Sequence, residues 1–329
     1  MTSGPAQGWP WRLARALLPG ALLPGALLLA QMVGAPADAA SLFVVCQAGA
    51  EISVVDTERG TVERIGVARA PAGIALSPDG RTAYVTHPDA SLLTRIDTAT
   101  RRVIDTTPVG GQPFAVVADP ADGALYVSDW SADTVYRLDP QTLARTGALK
   151  VGRSPAGLAL DARARRLYSA DRESNAVSVI DLATFSRLAS VPVGQAPYAF
   201  DAGNDPRFIA VANVRSGDVS LIDKADHSVA RIAAGRMPYG LAIVPGTGRI
   251  LVANQQSGTV SRLDPAAGRE TGSLRLGGSP ESVVVSPDGR HAYVTEWFAD
   301  VVAVLDLEGL AVIARIPVGT GPRTMALVP

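Results

Sequence analysis

Apolar residues along most of this chain come in short runs, each closed by turn-forming residues, and residues 71–110 show the unit: PAGIALSPDGRTAYVTHPDASLLTRIDTATRRVIDTTPVG. Residues 73–76 predict a first strand. Ser77-Pro78-Asp79-Gly80 predicts a tight turn, with Pro and Gly where a hairpin takes them. Residues 82–86 predict a second strand, 87–90 a loop, 92–96 a third strand, 97–100 a second turn and 102–109 a fourth strand.

The unit recurs to the end of the chain. Copies begin at Pro71, Pro113, Pro155, Pro197, Pro238, Pro280 and Pro322, and an Asp follows an aliphatic run at Asp56, Asp97, Asp139, Asp181, Asp223, Asp264 and Asp306. The spacing is 41 or 42 residues, and the Asp lies 26 residues after the Pro wherever a copy holds both. Units of this size cannot bury an apolar face alone and must stack, so residues 40–329 are expected to form one domain where length alone would allow two. Four antiparallel strands at this period make one blade of a β-propeller.

The first strand of each copy is tapered. Two places after the Pro stand Gly73, Ala115, Gly157, Ala199, Gly240, Ser282 and Thr324, while alternate positions such as Ile74, Leu158, Phe200 and Met325 are bulky. Backbones that converge on an axis need one small face. Asp201 breaks the small column two places further on, and a carboxylate near the axis must be paired or hydrated. The last copy stops after one strand and the first copy lacks that strand. Together they complete one blade, which predicts an all-β, seven-bladed ring closed by its C-terminal strand.

Residues 1–39 follow another pattern. Arg12 and Arg15 precede an apolar run broken by Pro19-Gly20 and Pro24-Gly25, and Ala37-Asp38-Ala39 fits an A-x-A cleavage site. That is the layout of a signal peptide, with a retained anchor as the alternative. A mature chain starting near Ala40, periplasmic or secreted and without a transmembrane segment, is the expectation. A net charge of -1 gives no footprint for nucleic acid. Cys46, the single cysteine, excludes an internal disulfide; it reads either as a reactive thiol or as a half-buried strand end.

Tyr84-Val-Thr, Tyr126-Val-Ser, Tyr168-Ser-Ala and Tyr293-Val-Thr, each followed by Ile/Leu-Asp, resemble the YVTN-type β-propeller repeat, as do residues 71–80 and Ser286-Pro-Asp-Gly289. The resemblance covers nearly all of residues 42–329, and the Gly-His and Trp-Asp marks of WD-type repeats are missing. It implies the fold and leaves function open. Its relatives include exported proteins of unknown role, surface-layer proteins, and subunits or accessories of quinoprotein and haem d1 systems.

On a propeller, the loops before each Pro and those between second and third strands share one face. The seven Asp lie on the other face, most simply as turn formers. The first face is where the copies differ. After the Pro stand Ala72, Phe114, Ala156, Tyr198, Tyr239, Glu281 and Arg323. The second strand ends in Cys46, His87, Asp129, Asp171, Asn213, Asn254 or Glu296, with Trp130 and Trp297 following two of them, and Arg69, Arg153 and Arg236 precede a Pro by two residues. Aromatic walls with Arg and carboxylates suit a planar, partly anionic ligand or a protein loop, and a solvated polar rim is the plain alternative. Haem-attachment, zinc-protease, nucleophile-elbow and phosphate-loop motifs are lacking, and the three His are scattered. The leading expectation is therefore a monomeric, non-catalytic exported propeller, with no cofactor of its own, that binds a periplasmic or extracellular protein or small molecule. The alternatives are an accessory of a periplasmic oxidoreductase, holding a quinone or haem non-covalently with His87 as the one axial-ligand candidate, and a surface-layer or adhesive protein.

Overall fold

A computed structural model describes residues 40–202 and 205–328; the expected leader falls outside them. The described chain forms seven four-stranded antiparallel sheets. In blade 1 the order from the axis outwards is Pro322–Val328, Ser41–Cys46, Glu51–Asp56 and Val62–Gly66, so the last strand of the chain does complete the first blade. Blades 2 to 7 occupy residues 74–108, 113–150, 155–192, 197–233, 238–275 and 280–317. Among the described residues no helix is long and apolar enough to cross a membrane.

The middle strands run one residue past the sequence-based limits, while the first and fourth strands of blade 2, Ile74–Leu76 and Arg102–Pro108, are one residue shorter. In blade 2 the second strand is Thr82–His87 and the third Leu92–Asp97. The polar residue at each end still pairs in register, His87 with Leu92 and Asp97 with Thr82, and residues 88–90 make one tight 3-10 turn. Polarity suggested loop at these ends, but hydrogen bonding carries the strand one residue further.

The core lies between blades. Each of seven apolar clusters joins two neighbours: Phe43 and Val45 of blade 1 meet Ala83, Val85 and Ile96 of blade 2, and Leu42 and Val44 meet Val302 and Val304 of blade 7. Fully burying such a side chain is worth about 1.5–3 kcal/mol, so no blade is stable without its neighbours.

Near the axis the taper has a direct cause. A Cβ added to Gly73, Gly157 or Gly240 would stand 2.5, 2.3 or 2.3 Å from a carbonyl oxygen of the next blade, that of Phe114, Tyr198 or Glu281. The hydroxyl that ends the Tyr-Val-Thr motif ties these backbones together. Thr86 Oγ1 accepts the Gly73 N–H at 2.8 Å and donates to the Phe114 carbonyl at 2.6 Å. Ser128 does the same for Ala115 and Ala156, and Thr295 for Ser282 and Arg323. Blade 1 has Val45 at this position, and there Thr324 of the inner strand donates to the Ala72 carbonyl instead.

All seven repeat Asp cap their turns. Asp97 and Asp139, for example, accept the backbone N–H of Thr100 and Thr142 at 2.7 Å, and these bonds hold both carboxyls below the usual range. Asp201 also has a structural partner: its Oδ2 accepts the Ile243 N–H of blade 6 at 2.6 Å, a tie between inner strands of neighbouring blades.

Candidate functional site at the channel mouth

Side chains that follow the Pro of different blades meet across the axis. The ring of Phe114 in blade 3 lies 5.8 Å from that of Tyr198 in blade 5, edge to face, and Tyr198 lies 4.6 Å from Tyr239 in blade 6. Ala156 of blade 4, small and buried, leaves the gap through which Phe114 and Tyr198 touch. Arg323 of blade 1 reaches over the same group. Its guanidinium stands 5.2 Å from the Phe114 ring centre and donates to Tyr198 Oη at 2.6 Å and to Gln47 Oε1 at 2.7 Å.

Tyr198 and Arg323 are half-buried and Glu281 is buried, and the electrostatics follow. Burial opposes the charge on Arg323, yet Tyr198 and Glu281 outweigh it and hold the guanidinium pKa above its ordinary value. Burial pushes the Tyr198 phenol up, against the pull of Arg323. Glu281 is buried beside the group with Gln255 Nε2 donating to it at 2.6 Å, and burial raises its pKa against the opposing effects of Arg323 and Gln255. Both of these Arg323 bonds go to neutral oxygens, and it forms no ion pair closer than 4 Å among the described residues.

Outside this cluster is a cleft of ≈ 360 Å³ whose walls include Phe114, Trp130, Tyr198 and Tyr239, with Arg172 and Arg323 as its cations. Trp130 packs on Phe114 at 5.1 Å, and Arg172 lies 5.6 Å from its ring centre. On the inner side, the first strands enclose a channel cavity of ≈ 280 Å³ that Phe114, Tyr198, Tyr239 and Glu281 help to line.

The other sequence candidates are placed elsewhere. His87, Asp129 and Glu296, expected at the mouth, are buried inside their blades. His87 is held by the Thr94 hydroxyl at 2.9 Å and the Arg69 carbonyl at 3.2 Å. Asp129 accepts the Gln112, Ser131 and Ala132 N–H groups, and Glu296 pairs with Arg315 at 3.1 Å. The whole column, Cys46 included, is a set of clasps. Cys46, His87, Asp171, Asn213 and Asn254 each contact the Ser or Thr seven residues on, and burial raises the Cys46 thiol pKa. A glycine of the blade-connecting loop lies over most of these side chains: a Cβ on Gly152, Gly194 or Gly235 would come within 2.6 Å of Asp171, Asn213 or Asn254. Variation here reflects interchangeable ways to fasten a loop. Arg153 and Arg236 are exposed, with the Arg153 guanidinium on the Glu173 carbonyl at 2.7 Å. Trp297 covers Gly321 and does not line the cleft.

Arg172, Gln47 and Gln255 were missed. They share the position of Trp130 and Trp297, one residue past the clasp, where the seven copies read Gln47, Pro88, Trp130, Arg172, Val214, Gln255 and Trp297. That complete column was the signal.

A closed ring of seven such blades with a loop-face cleft defines a β-propeller, and the chain belongs to the YNCE-like beta-propeller family, whose model matches residues 7–328. No curated protein matches the sequence. Among solved structures, Kuenenia stuttgartiensis hydrazine synthase is similar at 21% identity and TM-score 0.72, covering 82% of this chain and 93% of its own. The dihydro-heme d1 dehydrogenase NirN in complex with DHE is similar at 18% identity and TM-score 0.68, covering 87% and 74%. A functionally unknown protein from Desulfotomaculum acetoxidans is similar at 14% identity and TM-score 0.73, covering 87% and 98%. At these identities the likeness is one of fold.

Proposed function

We propose that this propeller is an exported, non-catalytic binding module that takes a partner's loop or a planar, anionic small molecule in the cleft over Phe114, Trp130, Tyr198 and Tyr239. One observation carries the reading: aromatic rings from blades 3, 5 and 6 converge under Arg323, a half-buried cation whose guanidinium donates to the neutral oxygens of Tyr198 and Gln47. Flat apolar walls beside a guanidinium with spare donors favour a planar body carrying a carboxylate or similar group. Native mass spectrometry of the protein isolated gently from its own cells tests this. The wild type should carry extra mass or a co-isolating protein, and Phe114→Ala/Trp130→Ala should lose it while staying folded. Equal loading of both forms sinks the site, and an unaccompanied chain in both sinks the function.

A second reading, an accessory of a redox system, draws support from the names of two similar structures, hydrazine synthase and NirN. His87 is enclosed by Thr94 and Arg69, so a haem or quinone bound here would rest on the aromatic walls and the arginines. Visible absorbance in the same preparation is the outcome that would favour it.

A further inference from the structure

The face opposite the mouth opens, between blades 6 and 7, into a groove of ≈ 510 Å³ lined by Arg249, Arg262, Arg290 and His291, with Thr247 adding a hydroxyl. Two carboxylates, Asp306 and Glu308, share the lining, and Asp306 already accepts the Gly309 N–H at 2.8 Å. None of the three arginines forms an ion pair among the described residues.

The repeat supplies internal controls. An arginine stands two residues before the turn Asp in blades 2, 3 and 6, as Arg95, Arg137 and Arg262. Arg95 forks onto Asp105 of the adjoining strand, with its Nε at 2.9 Å, and its Nη1 latches the Pro140 and Gln141 carbonyls of blade 3. Arg137 pairs with Asp122 at 2.9 Å. Arg262 repeats the latch, Nη1 donating to the Leu307 carbonyl of blade 7 at 3.2 Å, but has no carboxylate. Register puts Gly272 opposite Arg262 where Asp105 stands opposite Arg95. The Arg262 Nε–H is left buried and without an acceptor. Such a group strongly favours any arrangement that supplies an oxyanion.

We propose that this groove binds a small phosphate-bearing ligand, with the phosphoryl group on Arg262 and with Arg249 and Arg290 as flanking cations. The three guanidinium groups come from three separate segments of two blades. A planar carboxylate satisfies one fork, whereas the tetrahedral oxygens of a phosphate face several donors at once. Gly272 is where a covering carboxylate would stand: an added Cβ would lie 3.4 Å from Arg262 Nη2 and 3.6 Å from its Nε, with Leu310 Cδ2 at 3.1 Å.

Isothermal titration calorimetry of the folded protein with pyrophosphate, inorganic phosphate and acetate, at fixed ionic strength, tests the site. Saturable one-to-one binding of pyrophosphate, tighter than acetate, is expected. Arg262→Met and Gly272→Asp should each weaken it at least tenfold, while Arg95→Met leaves it unchanged. Gly272→Asp keeps the Arg262 latch and adds the missing carboxylate, with the Leu310 side chain shifting slightly, and an unchanged circular dichroism spectrum and melt separate its effect from unfolding. Absence of saturable binding, or equal affinity in Gly272→Asp, overturns the site; acetate binding as tightly as pyrophosphate overturns the ligand class.

Discussion

The Thr86 hydroxyl bonds the inner strand of its own blade and the backbone of the next, so one oxygen serves two blades. Thr86→Val and Ser128→Ala should each lower unfolding free energy by about 1–2 kcal/mol, because each leaves a buried carbonyl short of a donor. Urea unfolding measures this, and an unchanged midpoint in both variants would show the ties to be idle. His87 gives a pH prediction. Burial pushes its pKa below the ordinary 6.5, so the folded protein holds it neutral where the unfolded chain binds a proton. Stability should therefore fall as pH drops from about 6.5 towards the depressed folded value. Asn213 and Asn254 fill the same clasp, each bonding a hydroxyl as His87 does. His87→Asn should thus fold, and it should lose less stability than the wild type between pH 7.5 and 5.5; equal losses would mean that His87 protonates freely inside the blade. This column also shows what the sequence conceals. Five residue types at one position of seven copies looked like a variable surface, because a string of letters does not distinguish a side chain facing solvent from one folded under a glycine. The seven Asp were readable, since a turn carboxylate bonds N–H groups two or three residues away and needs no knowledge of the rest of the ring.

At the scale of elements, strand order and closure were legible from the one-strand mismatch between the two ends of the chain. Strand limits were one residue short wherever a polar side chain ended a strand, as at His87 and Asp97. The closing strand pairs along Ser41–Cys46, with Leu42 opposite Leu327 and Phe43 opposite Ala326. Truncation after Gly321 should leave that edge open and remove Arg323 with it. The truncated protein should aggregate and lose its cooperative thermal transition, read by circular dichroism and size-exclusion chromatography; a sharp native-like melt would show that the ring does not depend on its seal.

At the scale of the whole molecule, period and taper revealed seven blades around an axis, but not which side chains meet over it. Phe114 touches Tyr198 only because Ala156 is small and the intervening blade turns both towards one point. Contacts of this kind depend on the curvature of the closed ring, which spacing along the chain does not contain. The split first blade has one more consequence, which concerns time. A ribosome delivers the chain in order, so Ser41–Cys46 is made early and its inner neighbour, Pro322–Val328, last. For nearly all of its synthesis the nascent chain carries Phe43-Val44-Val45 with one side of the backbone bare. Such an edge can pair with the same strand of another newborn copy, so the protein is most exposed to misassembly before its final strand has been translated.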